Sequence, residues 1–277
     1  MVAFLHPWLR LALIFALTAT LATGCQLINR QPEFKTIPGN HLSLGNPSQA
    51  NPSNPNNLLM LKPQFALSYN GSQGTPNWVA WELNQSWFGN AERQNDFHPD
   101  QDLPENIYRV TPKDYNGTGY DRGHVAPSAD RTRNLADNSA TFAMSNMMPQ
   151  SPGLNRGVWG DLEEYCRQLA RQGKELYIVA GPVGKKGSIA NGKVTVPQAS
   201  WKAIAVLDKP GAPLTSNTRI IAVLMPNQDR LTKWTDYRVS VDKIEAATGY
   251  DLMPNVPKGI QNAIESKTDS ETITRQR

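Results

Sequence analysis

The chain has 277 residues, with 28 Lys and Arg against 24 Asp and Glu, a formal charge of +4, 20 Gly, 21 Pro, four His and two Cys. Hydrophobic residues at 39% and charged residues at 19% exclude a disordered polyelectrolyte and a fibrous repeat, and the length suffices for a sizeable core. Two cysteines rule out a disulfide scaffold or a Cys-ligated structural zinc site, and the slight positive balance is compatible with an anionic partner without naming one.

In chain order, residues 1–24 read as a signal peptide: Arg10, the apolar run Leu11 to Leu17, then small residues from Thr18 to Gly24. His6, Pro7 and Arg10 interrupt the only candidate for a span, so no stable membrane span is expected here or later. The ending Ala22-Thr23-Gly24-Cys25 resembles a bacterial lipobox, with Ala22 where Leu is usual. Two fates follow, export to the medium or periplasm, or export with a lipid anchor on Cys25. Residues 25–57 are expected to be a linker, because Gly45 to Asn57 spells GNPSQANPSNPNN, a run of turn formers.

The domain expected over 58–266 alternates short strand-like runs with turn signals. Strands are predicted at Leu58 to Tyr69, Trp78 to Asn84, Phe142 to Met148, Leu176 to Val183, Lys193 to Val196, Trp201 to Leu207, Arg219 to Met225 and Tyr237 to Ser240. Helices are predicted at Asn155 to Gln172, Val241 to Thr248 and Pro257 to Glu265. Consecutive strands favour an α+β fold with a mainly antiparallel central sheet flanked by helices. Residues 267–277 read as a polar, frayed tail.

The longest predicted helix carries two stripes. Leu154, Val158, Leu162, Tyr165 and Leu169 repeat at helical spacing and face a core. Asn155, Trp159, Glu163 and Arg167 step by four along a second line, about 100° to 140° around the helix, either a solvated face or the lining of a cleft.

The chemistry concentrates in GTGYDRGHVAPSADRTRN. His124 stands among Asp121, Asp130, Arg122, Arg131 and Arg133, after Gly123, which permits close approach, and before a Val-Ala-Pro run that reads as a short strand. Its neighbours can tune the imidazole either way: a carboxylate raises its pKa, while arginines lower it toward a neutral, proton-accepting form. The glycine spacing misses G-x-G-x-x-G by one residue, and P-loop, H-E-x-x-H and G-x-S-x-G motifs are absent.

Asp121-Arg122-Gly123-His124, followed by Asn146-Met147-Met148-Pro149-Gln150 and then by Asn155, Trp159, Glu163 and Arg167, resembles the DNA/RNA non-specific endonucleases of the ββα-metal (His-Me finger) class. Within that class it is most similar to the exported, sugar-non-specific enzymes of filamentous cyanobacteria. The likeness runs from about Leu58 to Ser266. It implies a ββα-metal motif, with His124 as general base and Asn155 as the sole direct protein ligand of one Mg²⁺ or Mn²⁺. It implies that Glu163 reaches the ion through water, which a fully helical segment would hinder, since the two positions would be about 12 Å apart along the axis. It gives Arg93 a phosphate contact.

Arg122 is left to bind phosphate or pair with an acid, and Arg167 to pair with Glu163 or reach a neighbouring phosphate. Asp121 is expected to orient the loop or an arginine, and Asn146 to fix the histidine or the loop. Met147 and Met148 are expected core filler. Arg93, Arg122, Arg131, Arg133 and Arg167 together would make one positive cleft on a nearly balanced protein. The implied substrates are single- and double-stranded DNA and RNA, cut to 5′-phosphate ends, and the danger of unsecreted nuclease suggests a small acidic inhibitor as partner. Two other functions fit the same residues, a catalytically inactive nucleic-acid-binding surface lipoprotein and a phosphodiesterase for small nucleotides.

Overall fold

Alternation along the strands decides the architecture. In 78–83 of the chain, Val79, Trp81 and Leu83 pack in one buried cluster while Trp78 and Ala80 pack in another, so the strand is covered on both faces. The computed structural model describes residues 32–273 apart from Pro38; the expected signal and Cys25 lie outside the described residues.

The first elements are β1 (Glu33–Phe34), β2 (Leu58–Leu61), β3 (Ala66–Asn70), β4 (Thr75–Leu83) and β5 (Asp121–His124). After α1 (Leu135–Ala140) come β6 (Met147–Gln150), α2 (Gly160–Arg171), β7 (Glu175–Val183), β8 (Gly187–Ile189), β9 (Val194–Val196) and β10 (Ala199–Leu207). The chain closes with β11 (Leu214–Thr215), β12 (Arg219–Pro226), β13 (Arg238–Val239), α3 (Val241–Thr248) and α4 (Lys258–Glu265). Seven strands form one sheet in the order β13-β12-β10-β7-β4-β3-β2, and each neighbouring pair is antiparallel. The fold is α+β, as the strand pattern implies.

Two layers cover the sheet. On one face α2 buries Leu162 and Leu169 against Ile178, Ile204 and Val223. Each such leucine removed from water stabilises the fold by about 2 kcal/mol. On the other face Ile244 of α3 and Ile260 and Ile264 of α4 pack with Trp78 and Trp201. Ser240 caps α3 through Lys243 N, and Gly249, at φ +76°, ends it in the left-handed region.

Several boundaries move for local reasons. The single strand expected over 58–69 is a hairpin, because Lys62 N donates to Phe65 O across a turn around Pro63. The strand expected over 142–148 is a 3-10 turn at Met144–Asn146 followed by β6. The strand read into Val125 to Pro127 lies one step earlier, at β5. Neither β5 nor α1 appears among the predicted elements.

The two expected loose ends are fastened. Asn46 both donates to and accepts from Ala50 backbone, Leu44 and Ala50 are buried in the α3–α4 core, and a Cβ on Gly45 would lie 2.4 Å from Pro254 Cγ. Residues 44–57 are therefore an ordered part of the domain and not a linker: the turn formers fold on themselves by side-chain to backbone hydrogen bonds. In the tail, Asp269 accepts from Arg219 at 2.8 and 3.0 Å and pairs with Arg238 at 3.3 Å, and Ile273 packs on the core. Among the described residues no helix is long and apolar enough to cross a membrane.

Candidate active site

β5 and β6 pair antiparallel, with His124 opposite Met147 and Asp121 opposite Gln150. The approach is close at Gly123, where a Cβ would sit 2.1 Å from Gln150 Oε1. Gly123 thus makes room for a neighbouring side chain. The hairpin leads into an irregular π-turn at Leu154–Trp159, kinked at Gly157, and then into α2. β5 therefore carries His124, the π-turn Asn155 and α2 Glu163.

His124 is 8% exposed and its Nε2 has no hydrogen-bond partner. Phe142 meets the ring edge-on at 4.8 Å and Phe97 lies at 5.5 Å. Burial, then the charges of Arg93 and Arg122, push the imidazole down to about 3, so it is neutral at neutral pH and retains a lone pair. Asn146 donates to Ala126 O and Thr141 O and accepts from Ala126 N. It clamps the loop after His124 and does not touch the imidazole.

Asp121 orients Asn155. Its Oδ2 accepts from Asn155 Nδ2 at 2.9 Å, and Arg156 donates to both of its oxygens at 2.8 and 2.6 Å. Partial burial opposes ionisation of Asp121, but the hydrogen bonds from Arg156 and Asn155 prevail and hold its carboxyl below the usual range. With the amide nitrogen engaged, Asn155 Oδ1 accepts no hydrogen bond among the described residues. Asn155 sits in the irregular turn before α2, which removes the straight-helix objection to its acting with Glu163.

Glu163 offers a second oxygen. Burial raises its carboxyl, while Lys202 and Arg167 pull it down, and its Oε1 has no hydrogen-bond partner. Lys202 Nζ lies 3.6 Å from that oxygen and 4.1 Å from the centre of the Trp159 ring. An amide oxygen held open by Asp121 and a buried carboxylate oxygen without a donor suit a hard divalent cation that keeps part of its water shell.

Charge is less pooled than the sequence suggests. Arg131 is fully buried, donating to Gln64 O and Glu82 O over the Trp87 ring, and Arg133 pairs with Asp137 at 2.8 Å. Arg167 pairs with Asp130 at 3.1 Å and Glu164 at 3.0 Å, and with neither Glu163 nor open solvent. These three arginines are engaged by the protein's own groups because each lies beside a buried carboxylate or carbonyl. Arg93 and Arg122 differ. Arg93 donates only to the neutral Ser128 and Asn95, over the Phe142 ring, and Arg122 lies 4.3 Å from the centre of the Phe97 ring with no ion pair among the described residues.

The second helix stripe is not a solvated face, for Trp159 is fully buried. Met147 and Met148 are core, as expected. Sequence reasoning missed Lys202, which alternation in WKAIAVL places on the Ile204 and Val206 side of β10. It named Asp130 without giving it a role; the side chain is 1% exposed and accepts from Trp81 Nε1 at 3.0 Å besides holding Arg167. A lysine inside an otherwise apolar strand was the available signal. Cys166 lies beside this network, and burial pushes its thiol up to about 12 and leaves it unreactive.

Residues 44–259 match the protein family described as DNA/RNA non-specific endonuclease. The chain is 56% identical over 265 residues to a nuclease of Nostoc sp., covering 92% of this chain and 97% of that protein. It is 30% identical over 236 residues to the mitochondrial nuclease of Saccharomyces cerevisiae, covering 78% and 72%. Its fold matches a chain from the crystal structure of the EndoG/EndoGI complex with a TM-score of 0.69 and 25% identity, over 79% of this chain and 92% of that one.

Proposed function

Because the chain belongs to the DNA/RNA non-specific endonuclease family, and so is a metal-dependent endonuclease, we propose that it cuts DNA and RNA without preference for sugar or sequence. The observation that carries this reading is the buried, neutral His124, whose Nε2 faces no protein partner. The neutral imidazole takes the proton from a water molecule, and that water attacks phosphorus in line with the departing O3′, leaving a 5′-phosphate. Phe97 and Phe142 fix the ring and exclude competing donors.

Arg93 and Arg122 bind the scissile phosphate, since Arg93 hydrogen-bonds only neutral groups and neither guanidinium forms an ion pair among the described residues. Asn155 directly, and Glu163 through water, would hold one Mg²⁺ or Mn²⁺. When bound, that ion neutralises charge developing on the phosphoryl oxygens and the leaving group. Asp121 turns the Asn155 amide, and Lys202 keeps Glu163 from being a lone buried charge. Phosphate contacts carry no base information, and an attacking water makes the 2′-OH dispensable.

The test is cleavage of plasmid DNA and of a single-stranded RNA by one preparation, with and without EDTA. Both substrates should be cut, and chelation should abolish both; persistence of either activity in EDTA overturns the metal role, and resistance of one substrate overturns sugar independence. Export, free or with Cys25 lipidated, belongs to the same proposal and rests on the residues at 1–25; intact mass of the exported protein separates the two forms through the acyl mass. The Arg93 and Arg122 charges also suit a small acidic inhibitor protein, and a solved relative is in an inhibitory complex. Failure to recover such a protein from host lysate on immobilised enzyme counts against it.

A further inference from the structure

On the sheet face covered by α3 and α4, three carboxylates converge. Asp242 lies in the first turn of α3, Glu245 follows three residues later on the same side, and Glu265 ends α4. One oxygen from each falls within 4.8 Å of the others. Acidic groups that gather on a surface are ordinarily kept apart by water, but Glu265 has little water: it is 5% exposed, and its Oε1 has no hydrogen-bond partner. None of the three forms an ion pair among the described residues, and the adjacent Lys258 is spent on Asp251 at 3.1 Å and Gln261 at 2.6 Å. Glu245 Oε1 accepts from Leu252 N, which fixes that carboxylate and leaves its other oxygen free. Burial, then repulsion from Glu245, push Glu265 up to about 8. A buried carboxylate in this position calls for a proton or a cation.

We propose that Asp242, Glu245 and Glu265 form a structural site for a hard divalent cation of the calcium class, separate from the catalytic centre. The donors are all carboxylate oxygens, with no imidazole or thiolate for zinc. Two oxygens on one ion at about 2.4 Å can be no more than about 4.8 Å apart, and the three oxygens meet that limit. Asp242 is exposed, so the site opens to solvent and water completes the shell. Calcium tolerates such an irregular set of ligands, whereas magnesium demands near-octahedral geometry. The bound ion joins the start of α3 to the end of α4, and so fastens the two helices that close the second core. The inference does not rest on the nuclease reading.

The test is thermal unfolding of chelator-stripped protein in CaCl₂ at pH 7.5, with calorimetric titration, for the wild type, Asp242→Asn, Glu265→Gln and Asn155→Ala. The melting temperature should rise by about 5 °C at a calcium level about 100-fold above Kd in the wild type and in Asn155→Ala. Asp242→Asn and Glu265→Gln should show no such rise. Glu265→Gln puts a neutral isostere where the calcium-free carboxyl is largely protonated and should melt at or above the calcium-free wild type, which guards against mistaking misfolding for lost binding. A calcium response retained by Glu265→Gln, absent from the wild type, or lost in Asn155→Ala overturns the site. In particular, a wild type indifferent to calcium would mean that Glu265 is held by a proton alone.

Discussion

His41 and His124 sit in different parts of the molecule, yet burial depresses both imidazoles, to about 4 and about 3. At His41 both ring nitrogens are used: Nε2 is 3.0 Å from Pro63 O, and Nδ1 accepts from Glu82 N at 3.2 Å. At His124, Nε2 has no partner. Withdrawal from water alone therefore does not mark a catalyst; an unspent lone pair does. His124→Ala should cost about 10³-fold in cleavage rate, within the range for loss of a positioned base, without lowering the urea midpoint. His41→Ala should do the reverse, losing about 1 to 3 kcal/mol of stability with two hydrogen bonds, and keep its rate within about threefold, on the order of an effect outside the chemistry. An active His124→Ala enzyme would remove the distinction.

The same contrast separates Arg93 from Arg167. Arg93 has only neutral hydrogen-bond partners, whereas Arg167 is held by Asp130 and Glu164. Arg93→Ala should lower the cleavage rate by about 10²-fold, the scale for loss of one positioned transition-state donor, and leave the fold intact. Arg167→Ala leaves Asp130 buried without its cation, which costs about 3 to 5 kcal/mol when one partner of such a pair is removed. Chemical denaturation alongside initial rates tells the two apart, and equal loss of rate at unchanged stability for Arg167→Ala would return that residue to the phosphate.

What could be read from the sequence follows from how local the signal is. The periods along 175–183 and 199–207 are carried by consecutive side chains, so those strands were legible, as was α3 between Ser240 and Gly249. The DRGH run and the spacing from Asn155 to Glu163 were legible because the motif holds them within one hairpin and helix. Beyond that, partnerships were hidden. Nothing near Arg131 in the chain reveals Gln64 O as its acceptor, 67 residues away, nor does Arg167 reveal Asp130, 37 residues away. The turn-rich stretch at 45–57 looked unstructured because its order comes from Asn side chains bonding backbone and from Pro254, distant in sequence. Lys202 was passed over because a lone lysine acquires meaning only when α2 brings Glu163 across the sheet.

The smallest expected effect is also the most discriminating, and it concerns pH. A histidine whose folded pKa is depressed leaves the unfolded chain binding the extra proton, so its contribution is present above about pH 6.5 and lost as pH falls toward its folded value. Each of the two histidines should then remove up to about 1.4 kcal/mol per pH unit below that point. Two carboxylates act with the opposite sign. Burial raises Glu82 to about 7 and Glu265 to about 8, and their contribution is present below the usual carboxylate range and lost as pH rises. Glu163 and Glu245 are raised by burial as well, so the carboxylates mask the histidine terms in the wild type between about pH 5 and 6.5. The histidine terms reappear in the difference between wild type and variant. The stability of the wild type relative to His41→Ala should fall as pH is lowered from 6.5 to about 4.5, and its stability relative to His124→Ala, level at neutral pH, should fall through the same window and continue lower, toward pH 3. Urea titrations at half-unit steps measure both differences. If the His41→Ala difference stays constant with pH, that imidazole titrates in the folded protein as it does in the unfolded chain, and the contrast between a spent and an unspent ring loses its footing.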